Sequence, residues 1–122
     1  MAEHTYLRTH DLAAEHLVVD LGQVTHDLHG DTRPEQSRGG ITLVKQQGMS
    51  LVVTHLPAGS SLKEHSAPGP TTVQVLDGRV RIQVGDEGIE ASHGRLIAFQ
   101  GGVRHSVDAI EDSTLLLTIN AV

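Results

Sequence analysis

Beyond residue 40 the chain is a series of short apolar runs broken by turns about every ten residues, with no helical period. Ile41-Thr-Leu-Val-Lys-Gln and Met49-Ser-Leu-Val-Val-Thr-His-Leu56 flank Gln47-Gly48 and read as a β-hairpin. Pro57-Ala-Gly59 ends the second strand, because proline has no N–H for a ladder. Thr71 to Leu76 is strand-like, and Asp77-Gly78 after it is a hairpin signal. Arg79 to Val84 alternates, which places Val80, Ile82 and Val84 on one face. Gly85-Asp86-Glu87-Gly88 reads as a further turn. Ile89 to Ala91, Leu96 to Phe99, Val103 to Val107 and Thr114 to Ile119 complete eight or nine strands. Such spacing predicts an all-β antiparallel sandwich or barrel.

Residues 1–38 have a different character and read as an N-terminal arm, with 39–122 as the barrel domain. The arm carries seven carboxylates against three arginines and no β pattern. Ala13, Leu17 and Leu21 recur at helical spacing behind Asp11, a possible cap, so a short helix from about Asp11 is one reading. Leu17-Val-Val-Asp-Leu as a strand is the other. His26 and His29 lie three apart and read as a solvated pair, while 30–40 reads as a loop. Leu115-Leu116-Leu117 is apolar on both faces, so its outer face needs a cover, either the N-terminal segment or a second subunit.

Composition narrows the function classes. With no cysteine, disulfide and thiolate chemistry are excluded. A formal net charge of -6 argues against nucleic acid or an anionic membrane as partner. Tyr6 and Phe99 are the only aromatic residues outside histidine, too few for base stacking or an aromatic cage. No apolar run approaches the ~20 residues of a membrane helix. The first residues have no basic-then-apolar signal pattern, so a cytoplasmic location is expected.

Two glycine-bounded modules each carry a histidine in a β run: Gly59, His65 and Gly78 in the first, Gly94, Gly102 and His105 in the second. Their order and spacing resemble the paired motifs of the cupin superfamily, and the flanking Leu76-Asp-Gly-Arg-Val-Arg and His105-Ser-Val-Asp-Ala resemble small single-domain bacterial members. The resemblance spans about residues 40 to 120 and implies a double-stranded β-helix, or jelly-roll barrel. It departs from the family pattern at Ala67, where a second histidine belongs, at Thr71, where a glutamate belongs, and at Gln100, where a proline belongs.

Family members with the full set hold a divalent metal with three histidines and a glutamate. The resemblance therefore implies one transition metal (iron, nickel, manganese or zinc) held here by His65 and His105, with His55 as a candidate third ligand. Two imidazoles alone form an incomplete site for such an ion. Thr71, facing inward like the family glutamate, would bring Val73 and Val75 inward and turn Gln74 outward. With Ile82 and Phe99 these residues would line a small pocket. Two function classes follow. One is a cupin that binds a small molecule in its barrel, with or without the metal; the other is a metal-dependent small-molecule enzyme of dioxygenase or isomerase type. A homodimer is the expected assembly. Arg104 reads as half of a surface ion pair, and Pro68-Gly-Pro70 as a stiff turn.

Overall fold

A computed structural model describes residues 16–31 and 39–121. Helix α1 spans Leu21–Asp31 and nine strands follow. They are β1 (Gly39–Gln46), β2 (Met49–Leu56), β3 (Ser61–His65), β4 (Thr71–Asp77), β5 (Arg79–Val84), β6 (Glu87–Ser92), β7 (Leu96–Phe99), β8 (His105–Ala109) and β9 (Ser113–Asn120). Two antiparallel sheets face each other, one in the order β1-β2-β9-β4-β7 and the other β3-β8-β5-β6. This is the antiparallel sandwich expected from the strand spacing, in the jelly-roll form that the resemblance implies.

The core lies between the sheets. Alternate residues of each strand enter it, among them Leu56, Val73, Val75, Val80, Ile82, Val107 and Leu115. Each fully buried aliphatic side chain contributes roughly 1.5–3 kcal/mol relative to exposure. In-register partners share a face, so Thr71, Val73 and Val75 of β4, opposite Ile119, Leu117 and Leu115 of β9, all point inward. Gln74 opposes Leu116 on the outer face.

Asp77-Gly78 is not a hairpin. β4 pairs with β7 and β9 while β5 pairs with β6 and β8, so the chain changes sheets at Gly78. The Asp-Gly pair supplies a left-handed residue (φ 90°) for this corner as it would for a hairpin turn, and the local sequence cannot separate the two uses. The turn after β5 is tighter than expected, since Glu87 and Gly88 already belong to β6.

The helix differs from both readings of the N-terminal segment. Residues 16–20 form neither helix nor strand, and Asp11 lies outside the described residues. Asp20 is the cap: its carboxylate accepts from Gln23 N at 3.1 Å, and its carbonyl accepts from Val24 N at 3.1 Å. Leu21, Val24 and Leu28 form a stripe that packs on Leu43, Val53, Leu51 and Leu116. The helix is thus the cover that Leu116 needs, and no second subunit is required to explain that apolar face. His26 is exposed on the opposite side, and the side chain of His29 lies outside the described set. Replacing Asp20 with alanine is expected to cost about 1 kcal/mol, read by urea denaturation, with Asn restoring most of it.

Candidate functional site

His65 and His105 meet because β3 contains an irregularity. Ser61 pairs with Asp108 and Leu62 with Val107, but His65, three residues after Leu62, pairs with His105, only two before Val107. Strict alternation would put Glu64 inward and His65 outward. The extra residue flips the parity and sets both imidazoles on the same side of the sheet. Their ring centroids are 4.4 Å apart with an interplanar angle of 62°.

His105 is buried, at 2% exposure, and stacks flat on Phe99 at 4.2 Å between centroids. Phe99 in turn pairs with Thr71 across β4 and β7. The four residues are thus contiguous at one end of the barrel. Both histidines are anchored through the same atom: Nδ1 of His65 donates to the Lys63 carbonyl at 2.6 Å, and Nδ1 of His105 donates to the Val103 carbonyl at 3.1 Å. Just before them in sequence, Glu64 and Arg104 form an exposed ion pair at 3.1 Å, so Arg104 is committed to a carboxylate of its own chain.

Loops close part of this end. Gly102 N donates to Ala67 O at 2.7 Å, Gly69 N to Asn120 O at 3.0 Å, and Asn120 Nδ2 to Pro70 O at 2.8 Å. Gly101 lies so close to the Pro68 carbonyl that a β-carbon there would collide with it. A cleft of about 570 Å³ opens laterally between β3 and the β2–β9 pair. Thr54, Ser61, Lys63 and His65 line it, with Leu62 and Leu117 as its apolar part. A larger depression of about 840 Å³ at the opposite pole is formed by surface turns, with Asp77, Arg79, His93 and Glu111 all exposed. It holds no paired imidazoles, and we assign no role to it.

Burial holds the His105 pKa below the ordinary imidazole value; the hydrogen bond to the Val103 carbonyl opposes this, and neighbouring His65 adds to the lowering. A folded-state pKa below the unfolded one means that the unfolded chain binds more protons in the interval between them. The stabilisation is therefore complete above about pH 6.5 and is lost as pH falls through the folded pKa. The wild type should lose more stability than His105→Gln between about pH 7.5 and 5 in urea titrations. Parallel curves would contradict this.

The structure does not bring every sequence candidate to the pair. His55 pairs with Thr114 on the outer face of its sheet, its Nδ1 3.4 Å from Thr114 Oγ1, whereas Thr54 and Leu56 face inward. This corrects its candidacy as third ligand. Thr71 faces inward, but its hydroxyl is directed at Gly69 O, at 3.4 Å. Val73, Val75, Ile82 and Phe99 are buried in the core cluster, and the lateral cleft is lined by other residues. The cleft residues Thr54, Ser61, Lys63 and Leu117 were not identifiable from sequence, since the bulge and the separation of the sheets define them. Among the described residues, no three histidine or carboxylate side chains are grouped to hold a metal ion.

Residues 52–119 match the family model described as Cupin domain. No curated protein matches the sequence. Among solved structures, a conserved protein of unknown function from Streptococcus pyogenes is similar at 27% identity and TM-score 0.71, over 93% of this chain and 96% of that one. A cupin superfamily protein from Desulfitobacterium hafniense aligns at 15% identity and TM-score 0.74, over 92% and 96%. A variant of salicylate 1,2-dioxygenase from Pseudoaminobacter salicylatoxidans aligns at 17% identity and TM-score 0.66, over 83% of this chain and 31% of that protein.

Proposed function

This chain belongs to the Cupin domain family, and from that premise we propose that it captures a small molecule at the open flank of the barrel mouth, where His65 and His105 meet the ligand. One observation carries the reading. Two imidazoles have ring centroids 4.4 Å apart, each held in orientation by a backbone carbonyl, and one of them, His65, lines the lateral cleft. Anchored rings with a free second nitrogen are preorganised, so binding costs little side-chain entropy.

The metal that the family implies was weighed against the donors present. Two neutral imidazoles are available, but Ala67 has no donor atom, the Thr71 hydroxyl is neutral and directed at Gly69, and His55 faces the other side of its sheet. Among the described residues no third donor is grouped with the two histidines and no carboxylate charge offsets a dication there, so these residues do not fit the family's four-ligand centre. The metal-dependent enzyme remains the second reading, favoured by the same Nδ1 anchoring, which also orients imidazoles for metals.

A thermal-shift screen of small molecules against metal-stripped protein tests the proposal, with His65→Ala alongside. Because His65 is exposed, that variant should fold normally. Compounds that raise the melting temperature of the wild type but not of the variant are the expected result. Compounds that stabilise both equally would place binding elsewhere and refute it. Stabilisation that appears only after an iron, nickel, manganese or zinc salt is restored would move the second reading ahead.

A further inference from the structure

The donors and acceptors of the mouth also constrain what it binds, an inference that rests on the binding reading above. A carbonyl oxygen can only accept a hydrogen bond. The contacts from Nδ1 of His65 to Lys63 O and from Nδ1 of His105 to Val103 O therefore fix the hydrogen on Nδ1 in both rings. In the neutral imidazole the other nitrogen, Nε2, is then an acceptor. No described residue bonds to either Nε2. No buried side-chain nitrogen or oxygen among the described residues lacks a partner, so Nε2 of His105 retains contact with solvent although the ring is only 2% exposed. Ser61 gives its hydroxyl hydrogen to Asp108 at 2.5 Å, which leaves its oxygen as a further acceptor in the cleft.

We propose that His65 and His105 form a paired hydrogen-bond acceptor that recognises two adjacent hydroxyls on a small cyclic molecule, without a metal between them. With centroids 4.4 Å apart, the two rings are close enough for one such molecule to reach both, and each Nε2 would accept one O–H. Leu62 and Leu117 contact the apolar body of the ligand in the cleft. Phe99, stacked on His105, keeps that ring from turning. At the two Nε2 atoms a carboxylate, which offers only acceptors, meets lone pairs and is selected against, and the donor it would find in the cleft is the Lys63 ammonium instead of the imidazole pair. A ligand with one hydroxyl leaves one desolvated acceptor unpaired, which costs about tenfold or more in affinity.

Catechol, guaiacol and benzoate share one aromatic ring and differ in their polar groups: two hydroxyls, one hydroxyl and a methyl ether, and a carboxylate. Each is titrated by calorimetry into the full-length, EDTA-treated protein near neutral pH, and histidine side-chain resonances are followed by NMR. Catechol should bind about tenfold or more tightly than guaiacol, with benzoate weakest. His65→Ala should weaken catechol about tenfold, and both His65 and His105 resonances should move in the wild type. Equal binding of catechol and guaiacol, or a preference for benzoate, would overturn the diol assignment; if His65→Ala still weakens that binding, the mouth stands as the binding site. Catechol binding that requires added zinc or iron overturns the metal-free pair. If none of the three binds and both sets of histidine resonances stay fixed, the diol assignment fails; a thermal-shift screen that also gave no His65-dependent hits would remove the binding reading with it.

Discussion

Gly78→Ala should cost about 3 kcal/mol or more of stability, while Gly59→Ala, at a similar backbone angle, should cost about 1 kcal/mol. The two glycines have φ of 90° and 86°, so both substitutions carry the left-handed penalty of an L-residue. Their surroundings differ. A β-carbon on Gly78 would be forced onto the Asp112 carbonyl and the Ser113 side chain, with Ser113 Cα 2.7 Å away, whereas among the described residues none beyond the chain neighbours lies within 4 Å of one on Gly59. Ser113 cannot yield freely. Its hydroxyl oxygen accepts from Arg79 N at 3.0 Å, and its hydrogen is shared between Glu111 O at 2.7 Å and Arg79 O at 3.1 Å. Displacing it unravels the corner where the chain passes from one sheet to the other. Urea denaturation of both variants measures the difference, and equal losses would show that steric contact at the corner contributes nothing.

Phe99→Ala should lose roughly 3–5 kcal/mol and weaken ligand capture as well. Phe99 is 7% exposed, belongs to the main core cluster and stacks on His105 with rings 5° from parallel. Removing it opens a cavity and frees the imidazole to turn. Phe99→Leu separates the two effects, because it restores much of the volume without a flat face. It should recover most of the stability and little of the affinity. Full recovery of binding in Phe99→Leu would mean that the ring stack does not position His105.

The fold was legible because its signals are local and repeated. Alternation in Arg79 to Val84 and the glycine turns around it specify strands whatever their partners, and in-register pairing then turns Thr71, Val73 and Val75 inward. Partner choice was less legible, since Asp77-Gly78 serves a corner as readily as a hairpin. The start of α1 was missed because Ala13, Leu17 and Leu21 offered a helical stripe ahead of the one that packs, Leu21, Val24 and Leu28. At the site, the two histidines stood out through their glycine-bounded modules. What sequence could not supply was the extra residue in β3 that turns His65 toward His105, or the parity that turns His55 away. A bulge depends on the pairing of two strands more than forty residues apart, and no residue type in Leu62-Lys-Glu-His65 announces it.

The measurement that bears most directly on the central claim is long-range nitrogen NMR of the histidine rings in metal-stripped protein, slightly above neutral pH. We expect both His65 and His105 to show the hydrogen on Nδ1 and a bare Nε2, with the Nε2 signals moving when a ligand enters the cleft. An Nε2–H tautomer in either ring would remove the paired acceptor on which the reading of this mouth as a binding site depends.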